Sequence, residues 1–170
     1  MKYCIIIDMQ KDFVDGALAN PAAEKIIPDM VKKVEELREK GYTIIATRDS
    51  HNENYMNTQE GKNLPVPHCI IGTEGWEVVD ELKPFIDEYV DKPSFGYNKW
   101  AEFFDHCDCP DEIVMFGVCT GICVSSNFAI LKANYPEIPI TVYKDLCACI
   151  TPESHEAAIN TMKVQQAIIM

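Results

Sequence analysis

Cys123 lies in Gly117-Val118-Cys119-Thr120-Gly121-Ile122-Cys123-Val124, just past an apolar run and at the start of a segment with helical spacing. Helix N-termini are electropositive and favour thiolate over thiol, so this position suits a nucleophile. Such a thiol needs a base, because cysteine is mostly protonated at neutral pH. Asp8, which follows Tyr3-Cys4-Ile5-Ile6-Ile7, is a candidate base; taken alone it reads first as a loop aspartate capping the turn Asp8-Met9-Gln10-Lys11-Asp12-Phe13. Lys92, in Val90-Asp91-Lys92-Pro93-Ser94-Phe95-Gly96, is either a solvated lysine or a charge that fixes protonation states beside Asp8 and the thiol.

A second constellation has metal-binding character. Asp49-x-His51, with His68 further along, supplies a carboxylate and imidazoles, a set suited to zinc, iron or manganese with open positions. The alternative is ordinary surface histidines. Pro65-Val66-Pro67 precedes His68 and would stiffen its approach. Glu60, between them, either adds a ligand oxygen or is solvated. His106, at an acidic helix end, and His155, in the first turn of the last helix, are assigned no catalytic role.

Apolar, β-rich runs alternate with amphipathic segments along the whole chain. Strands are expected at Tyr3–Ile7, Thr43–Thr47, Glu88–Val90, Glu112–Phe116, Ile138–Tyr143 and Ala167–Met170. Helices are expected at Ala22–Lys40, Tyr97–His106, Ile122–Asn134 and Pro152–Lys163, with Gly41 closing the first and Thr151-Pro152 opening the last. The pattern predicts an α/β fold: a three-layer α/β/α arrangement with a mostly parallel, doubly wound, Rossmann-like sheet of about six strands. The irregular stretch from Asp49 to about Gly75 is long for a compact domain and reads as an ordered functional loop. In an open parallel sheet, ligands bind beyond the carboxyl ends of the strands. Asp8, Asp49, His51, Lys92 and Cys123 all follow predicted strands, so they are expected along one edge.

With 170 residues, 47% of them hydrophobic, the chain is expected to fold as one domain spanning residues 1–170. Acidic residues number 27 against 15 basic ones, a formal charge of −12, with no basic cluster, which argues against nucleic acid as a partner. No segment reaches membrane-spanning length and no export signal is apparent, so a cytoplasmic location is expected. The eight cysteines are accordingly expected to stay reduced, mostly as small core residues. Cys107/Cys109 and Cys147/Cys149 have Cys-x-Cys spacing but lack the Cys-x-x-Cys partners of a persuasive zinc site.

Taken in order, Ile7-Asp8-Met9-Gln10-Lys11-Asp12-Phe13, Asp91-Lys92 and Thr120-Gly121-Ile122-Cys123-Val124 resemble the motifs of the isochorismatase-like cysteine hydrolase superfamily, over nearly the whole chain. Thr47-Arg48-Asp49-Ser50-His51 and Pro67-His68-Cys69-Ile70-Ile71-Gly72-Thr73 are similar to the metal-binding segments of its nicotinamidase/pyrazinamidase branch. The resemblance implies a catalytic Asp8, Lys92 and Cys123. It implies a divalent metal, zinc foremost with iron or manganese as alternatives, on Asp49, His51 and His68, with Glu60 as a further ligand. It also implies an oxyanion hole from the backbone N–H groups of Cys119 and Cys123 after a cis Val118-Cys119 peptide, and pocket walls at Phe13 and Phe95. A homo-oligomer is the usual state of such relatives. Two departures stand out: Gly121 replaces the usual aspartate, and Leu64 and Val66 stand where many relatives have tryptophan.

The implied activity is metal-assisted hydrolysis of nicotinamide to nicotinate and ammonia, a step of NAD salvage, through a Cys thioester. Three other readings remain open on the residues alone. The same triad could serve another small amide or ureido substrate. Asp49, His51 and His68 could form a facial iron site for oxidation, which leaves Asp8 and Lys92 unexplained. The cysteines could form a redox or metal-sensing module, which needs exposed thiol pairs.

Overall fold

The computed structural model describes residues 1–170. β1 (Lys2–Ile7) leads through the short α1 (Lys11–Val14) into α2 (Pro21–Glu39). β2 (Tyr42–Asp49) is followed by a long connection holding α3 (Gln59–Asn63), and β3 (Glu88–Lys92) precedes α4 (Trp100–Asp105). β4 (Glu112–Val118) runs into a π-helical turn at Thr120–Val124 and then α5 (Ser125–Asn134). β5 (Ile140–Ala148), α6 (Pro152–Val164) and β6 (Ile168–Ile169) complete the chain.

The strands form one six-stranded sheet in the order β3-β2-β1-β4-β5-β6, and every adjacent pair is parallel. Helices cover both faces, giving the expected α/β/α layers. All of β1 after Lys2 is buried, as a central parallel strand covered on both sides must be. α2 starts where Asn20 accepts a hydrogen bond from Ala22 N at 3.0 Å, with Pro21 at its first position. Its buried stripe is Ala23, Ile27, Met30, Val34 and Leu37, the spacing of one helix face. No helix is long and apolar enough to cross a membrane.

Two expectations change. The segment at Cys123 is not the first turn of an α-helix, because α5 begins only at Ser125 and the thiol sits in the π turn before it. The cysteines are not all reduced: Cys119 and Cys149 are joined in a disulfide, and the other six are free. β4 and β5 end side by side, Val118 pairing with Ala148, which brings the residues just beyond them together.

Strand order reverses between β1 and β4, so a crevice opens beyond their carboxyl ends, where Asp8 and Cys123 emerge. Gly117 makes this approach possible. It adopts φ +134°, pairs with Ile7 and sits at an irregularity in the β4–β5 register. A Cβ there would lie 2.2 Å from Ile7 O, whereas one at Gly121 would meet nothing closer than 3.5 Å. Gly117→Ala should therefore lower stability by more than about 4 kcal/mol or prevent folding, while Gly121→Ala should stay within about 1 kcal/mol of the parent. Urea unfolding of the two variants checks the contrast.

Candidate active site

Lys92 ends β3 with its side chain entirely buried, which is tolerable only with paired charge. Its Nζ lies 2.7 Å from Asp8 Oδ2, 3.5 Å from Asp49 Oδ1 and 3.6 Å from Cys123 Sγ, and donates to Ser94 O at 3.1 Å. Burial disfavours the ammonium, but Asp8, Cys123 and Asp49 outweigh it and hold Lys92 protonated.

Asp8 is fully buried and sits at φ +49°, a left-handed conformation that aspartate tolerates better than most residues. Thr47 fixes it twice: Thr47 Oγ1 donates to Asp8 Oδ1 at 2.6 Å and accepts from Asp8 N at 3.1 Å. Burial pushes the Asp8 carboxyl up, Lys92 opposes that, and Asp49 adds to it. A carboxylate raised in this way is matched to taking and returning a proton. Burial also pushes the Cys123 thiol well up, reinforced by the charge of Asp8, with Lys92 acting against it. The electropositive helix start expected from the sequence is thus outweighed by desolvation, and the thiol needs a neighbouring base rather than a dipole.

The metal-type cluster adjoins this trio through Asp49. One ligand atom each from Asp49, His51, Glu60 and His68 lies within 4.8 Å of the others. His51 Nε2 is 3.0 Å from Asp49 Oδ2, and His68 Nε2 is 3.6 Å from both Asp49 Oδ2 and Glu60 Oε1. His68 Nδ1 contacts Val66 O at 2.8 Å; a carbonyl only accepts, so this nitrogen carries the proton and Nε2 presents a lone pair to the cluster. Asp49 Oδ1 is buried with only the Lys92 ammonium near it, at 3.5 Å, which leaves Oδ2 on the side of the imidazoles. Two imidazoles and two carboxylates converging in this way are a donor set that fits a divalent ion. Tyr55 packs its ring edge against both imidazoles.

The two clusters share a cavity of about 700 Å³. Its wall includes Phe13, Phe95, Leu64, Ile122, Val118 and Ile150, with Asp49, Glu60, His68, Cys119 and Cys123 at its floor and no lysine or arginine side chain lining it. The Val118-Cys119 peptide is cis. All of the residues singled out from the sequence therefore fall at one edge: Asp8, Lys92 and Cys123 together, the four metal-type residues beside them, Cys119 next to the thiol, and Phe13 and Phe95 on the wall.

Several supports carry no signal in composition or spacing. Gln10 is fully buried; its Nε2 donates to Asp49 O at 2.9 Å and Trp76 O at 2.8 Å, and its Oε1 accepts from Asp49 N at 2.7 Å. Asp12 Oδ2 accepts from Cys69 N at 2.7 Å, anchoring the residue after His68. Asn127 donates to Cys123 O at 2.8 Å and accepts from Trp100 Nε1 at 2.8 Å and Tyr97 N at 3.0 Å, tying the nucleophile turn to α4.

The isochorismatase domain profile matches residues 2–170. The chain belongs to the isochorismatase family. It is a hydrolase of that family, similar to proteins named nicotinamidase. An Arabidopsis thaliana protein named as a probable inactive nicotinamidase is 31% identical, over 94% of this chain and 86% of its own length. The structure of Pyrococcus horikoshii pyrazinamidase in complex with zinc matches with a TM-score of 0.84 at 29% identity, covering 99% of this chain and 98% of that one. The Streptococcus mutans pyrazinamidase/nicotinamidase matches with a TM-score of 0.86 at 26% identity, covering 100% of both.

Burial disfavours a charged His68, yet hydrogen bonding to Asp49 and the Val66 carbonyl outweighs it and raises the imidazole above its ordinary value. A metal binds only the neutral ring, so binding must release that proton. Zinc affinity should therefore rise with pH until His68 is deprotonated, and fall as pH drops through its raised pKa. Calorimetry in buffers of different ionisation enthalpy should show proton release in the parent and less in His68→Ala.

Proposed function

We propose that this isochorismatase-family member is a metal-assisted cysteine amidohydrolase that converts nicotinamide to nicotinate and ammonia, a step that would return nicotinate to NAD salvage. The observation that carries the reading is one buried group, Asp8, Lys92 and Cys123, whose Cys123 lines the same apolar cavity as Asp49, Glu60 and His68 of the metal-type cluster. Inactivity is said of the plant relative alone; this chain has nucleophile, base and charge partner in contact.

In this mechanism Asp8 takes the proton of Cys123 Sγ, and the thiolate attacks the amide carbon. Lys92 keeps the neighbouring carboxylate and thiolate charges compensated where all three groups are buried. The backbone N–H groups of Cys119 and Cys123 receive the oxyanion, since the opening N–H groups of a helical turn have no partner inside it. Asp8 then returns the proton to the departing ammonia. Water, deprotonated by Asp8, hydrolyses the thioester and frees the thiol. Phe13 and Phe95 would flank the flat ring. A metal on Asp49, His51 and His68, with Glu60 as further ligand, would supply a Lewis-acid contact that orients the substrate. Zinc is favoured because a relative's structure holds it.

The cavity lining also separates this reading from its closest rival. A ureido acid carries a carboxylate, and no lysine or arginine lines the cavity to receive it. Neutral aromatic carboxamides need no such partner. The iron-oxidation reading leaves the Asp8–Lys92–Cys123 contact without a purpose.

Zinc-loaded protein should release ammonia from nicotinamide and not from N-carbamoyl amino acids, in a coupled ammonia assay. Cys123→Ala should lower kcat by roughly a thousand-fold or more, and His68→Ala should lower kcat/KM by about 100-fold through lost orientation. Ammonia release by Cys123→Ala at the parental rate would exclude the mechanism.

A further inference from the structure

The mechanism uses the main chain of Cys119 but neither sulfur of the Cys119–Cys149 bond. The Cα atoms are 4.6 Å apart, within the roughly 4.4–6.8 Å that a disulfide spans. Its place in the fold is specific. Cys119 follows β4, caps the π turn that carries Cys123 and lines the cavity, while Cys149 is buried just past β5. Cys149 O accepts from Asn20 Nδ2 at 3.2 Å, and Asn20, the cap of α2, is also a cavity residue. The bond therefore joins the nucleophile turn to the end of β5 and, through Asn20, to the start of α2. Its neighbour on the same turn, Thr120, is buried and lies 2.8 Å from His155 Nδ1 of α6, so the turn is braced twice from one side.

We propose that Cys119 and Cys149 form a reversible dithiol–disulfide site that exchanges with low-molecular-weight thiols and disulfides through the substrate cavity and sets how firmly the oxyanion turn is held. Cys119 is the partner the cavity reaches, so it is the entry sulfur. In oxidation, the Cys119 thiolate attacks one sulfur of a small disulfide and expels a thiolate; the Cys149 thiolate then attacks the Cys119 sulfur of the mixed disulfide and expels the second. The protein gives up two protons and two electrons, and the small disulfide becomes two thiols. Reduction is the reverse. In the disulfide form the backbone N–H of Cys119 is tied covalently to β5; in the dithiol form only non-covalent contacts hold it. Oxyanion donors act in the transition state and not on the bound amide, so loosening them lowers kcat and leaves KM nearly unchanged.

The kinetic consequence rests on the proposed amidase activity, whereas the linkage does not. Protein equilibrated with the neutral disulfide 2-hydroxyethyl disulfide and then alkylated should yield a linked peptide pair that fragmentation assigns to Cys119 and Cys149, with Cys123 alkylated. Dithiothreitol should abolish the pair, and Cys149→Ser should never form it. With nicotinamide as substrate, kcat of the parent should fall several-fold on reduction at constant KM, whereas Cys149→Ser should have the reduced value in dithiothreitol and gain nothing on oxidation, where an unresolved mixed disulfide on Cys119 can only lower it. Alkylation of both cysteines after 2-hydroxyethyl disulfide treatment, or a link through other cysteines, would overturn the site. Equal kcat in the two states, or an equal response of Cys149→Ser, would overturn its effect on the turn. Should nicotinamide not be a substrate, the peptide map still decides the linkage.

Discussion

Everything at this sheet edge depends on one buried charge. Lys92 has no solvent to stabilise its ammonium, so Asp8 at 2.7 Å must, with Asp49 at 3.5 Å as the second carboxylate. Removing a partner from such a pair typically costs about 3–5 kcal/mol, because the remaining charge is left unpaired. The constraint reaches across the sheet: Lys92 comes from β3 at one edge, Asp49 from β2 and Asp8 from β1. Parallel pairing in register brings these strand ends level, Asp49 opposite Lys92 and Gly117 opposite Ile7.

The same arrangement explains how two chemistries share one cavity. Asp49 faces Lys92 with Oδ1 and the imidazoles with Oδ2, so it is the electrostatic hinge between the nucleophile group and the metal-type group. Burial opposes it, but His51 at 3.0 Å, His68 at 3.6 Å and the Lys92 ammonium together hold its carboxyl well below the usual range. Asp8, next to it, is pushed the other way. Adjacent carboxyls driven apart are suited to different tasks, one to stay ionised as a ligand and one to carry a proton.

Much of this was legible in the sequence, for reasons that can be named. A parallel sheet buried on both faces writes itself as short apolar runs, and Cys4–Ile7 and Ile113–Phe116 are such runs. Residues directly after those runs must gather at one edge, which is why Asp8, Lys92 and Cys123 could be singled out by position. Phe13 and Phe95 came only from family resemblance, because an aromatic residue at a wall and one in a core look alike along the chain. Gln10, Thr47, Asp12 and Asn127 were not legible in these roles, since each acts on a partner far away in sequence, such as Thr47 on Asp8 or Asp12 on Cys69. The π turn escaped for another reason: its apolar spacing is continuous with α5, and only the backbone shows where one ends. The Cys119–Cys149 bond escaped because the cysteines read as reduced core residues, and nothing along the chain shows that these two, 30 residues apart, meet beyond β4 and β5.

The central claim is that Cys123, deprotonated by Asp8 and balanced by Lys92, carries the acyl group. Acid quenching during turnover of nicotinamide, followed by peptide mass spectrometry, reads this directly. The account predicts a nicotinoyl adduct on Cys123 that disappears as substrate is exhausted. Continued nicotinate formation with Cys123 unmodified throughout, or with the adduct on another residue, would contradict it.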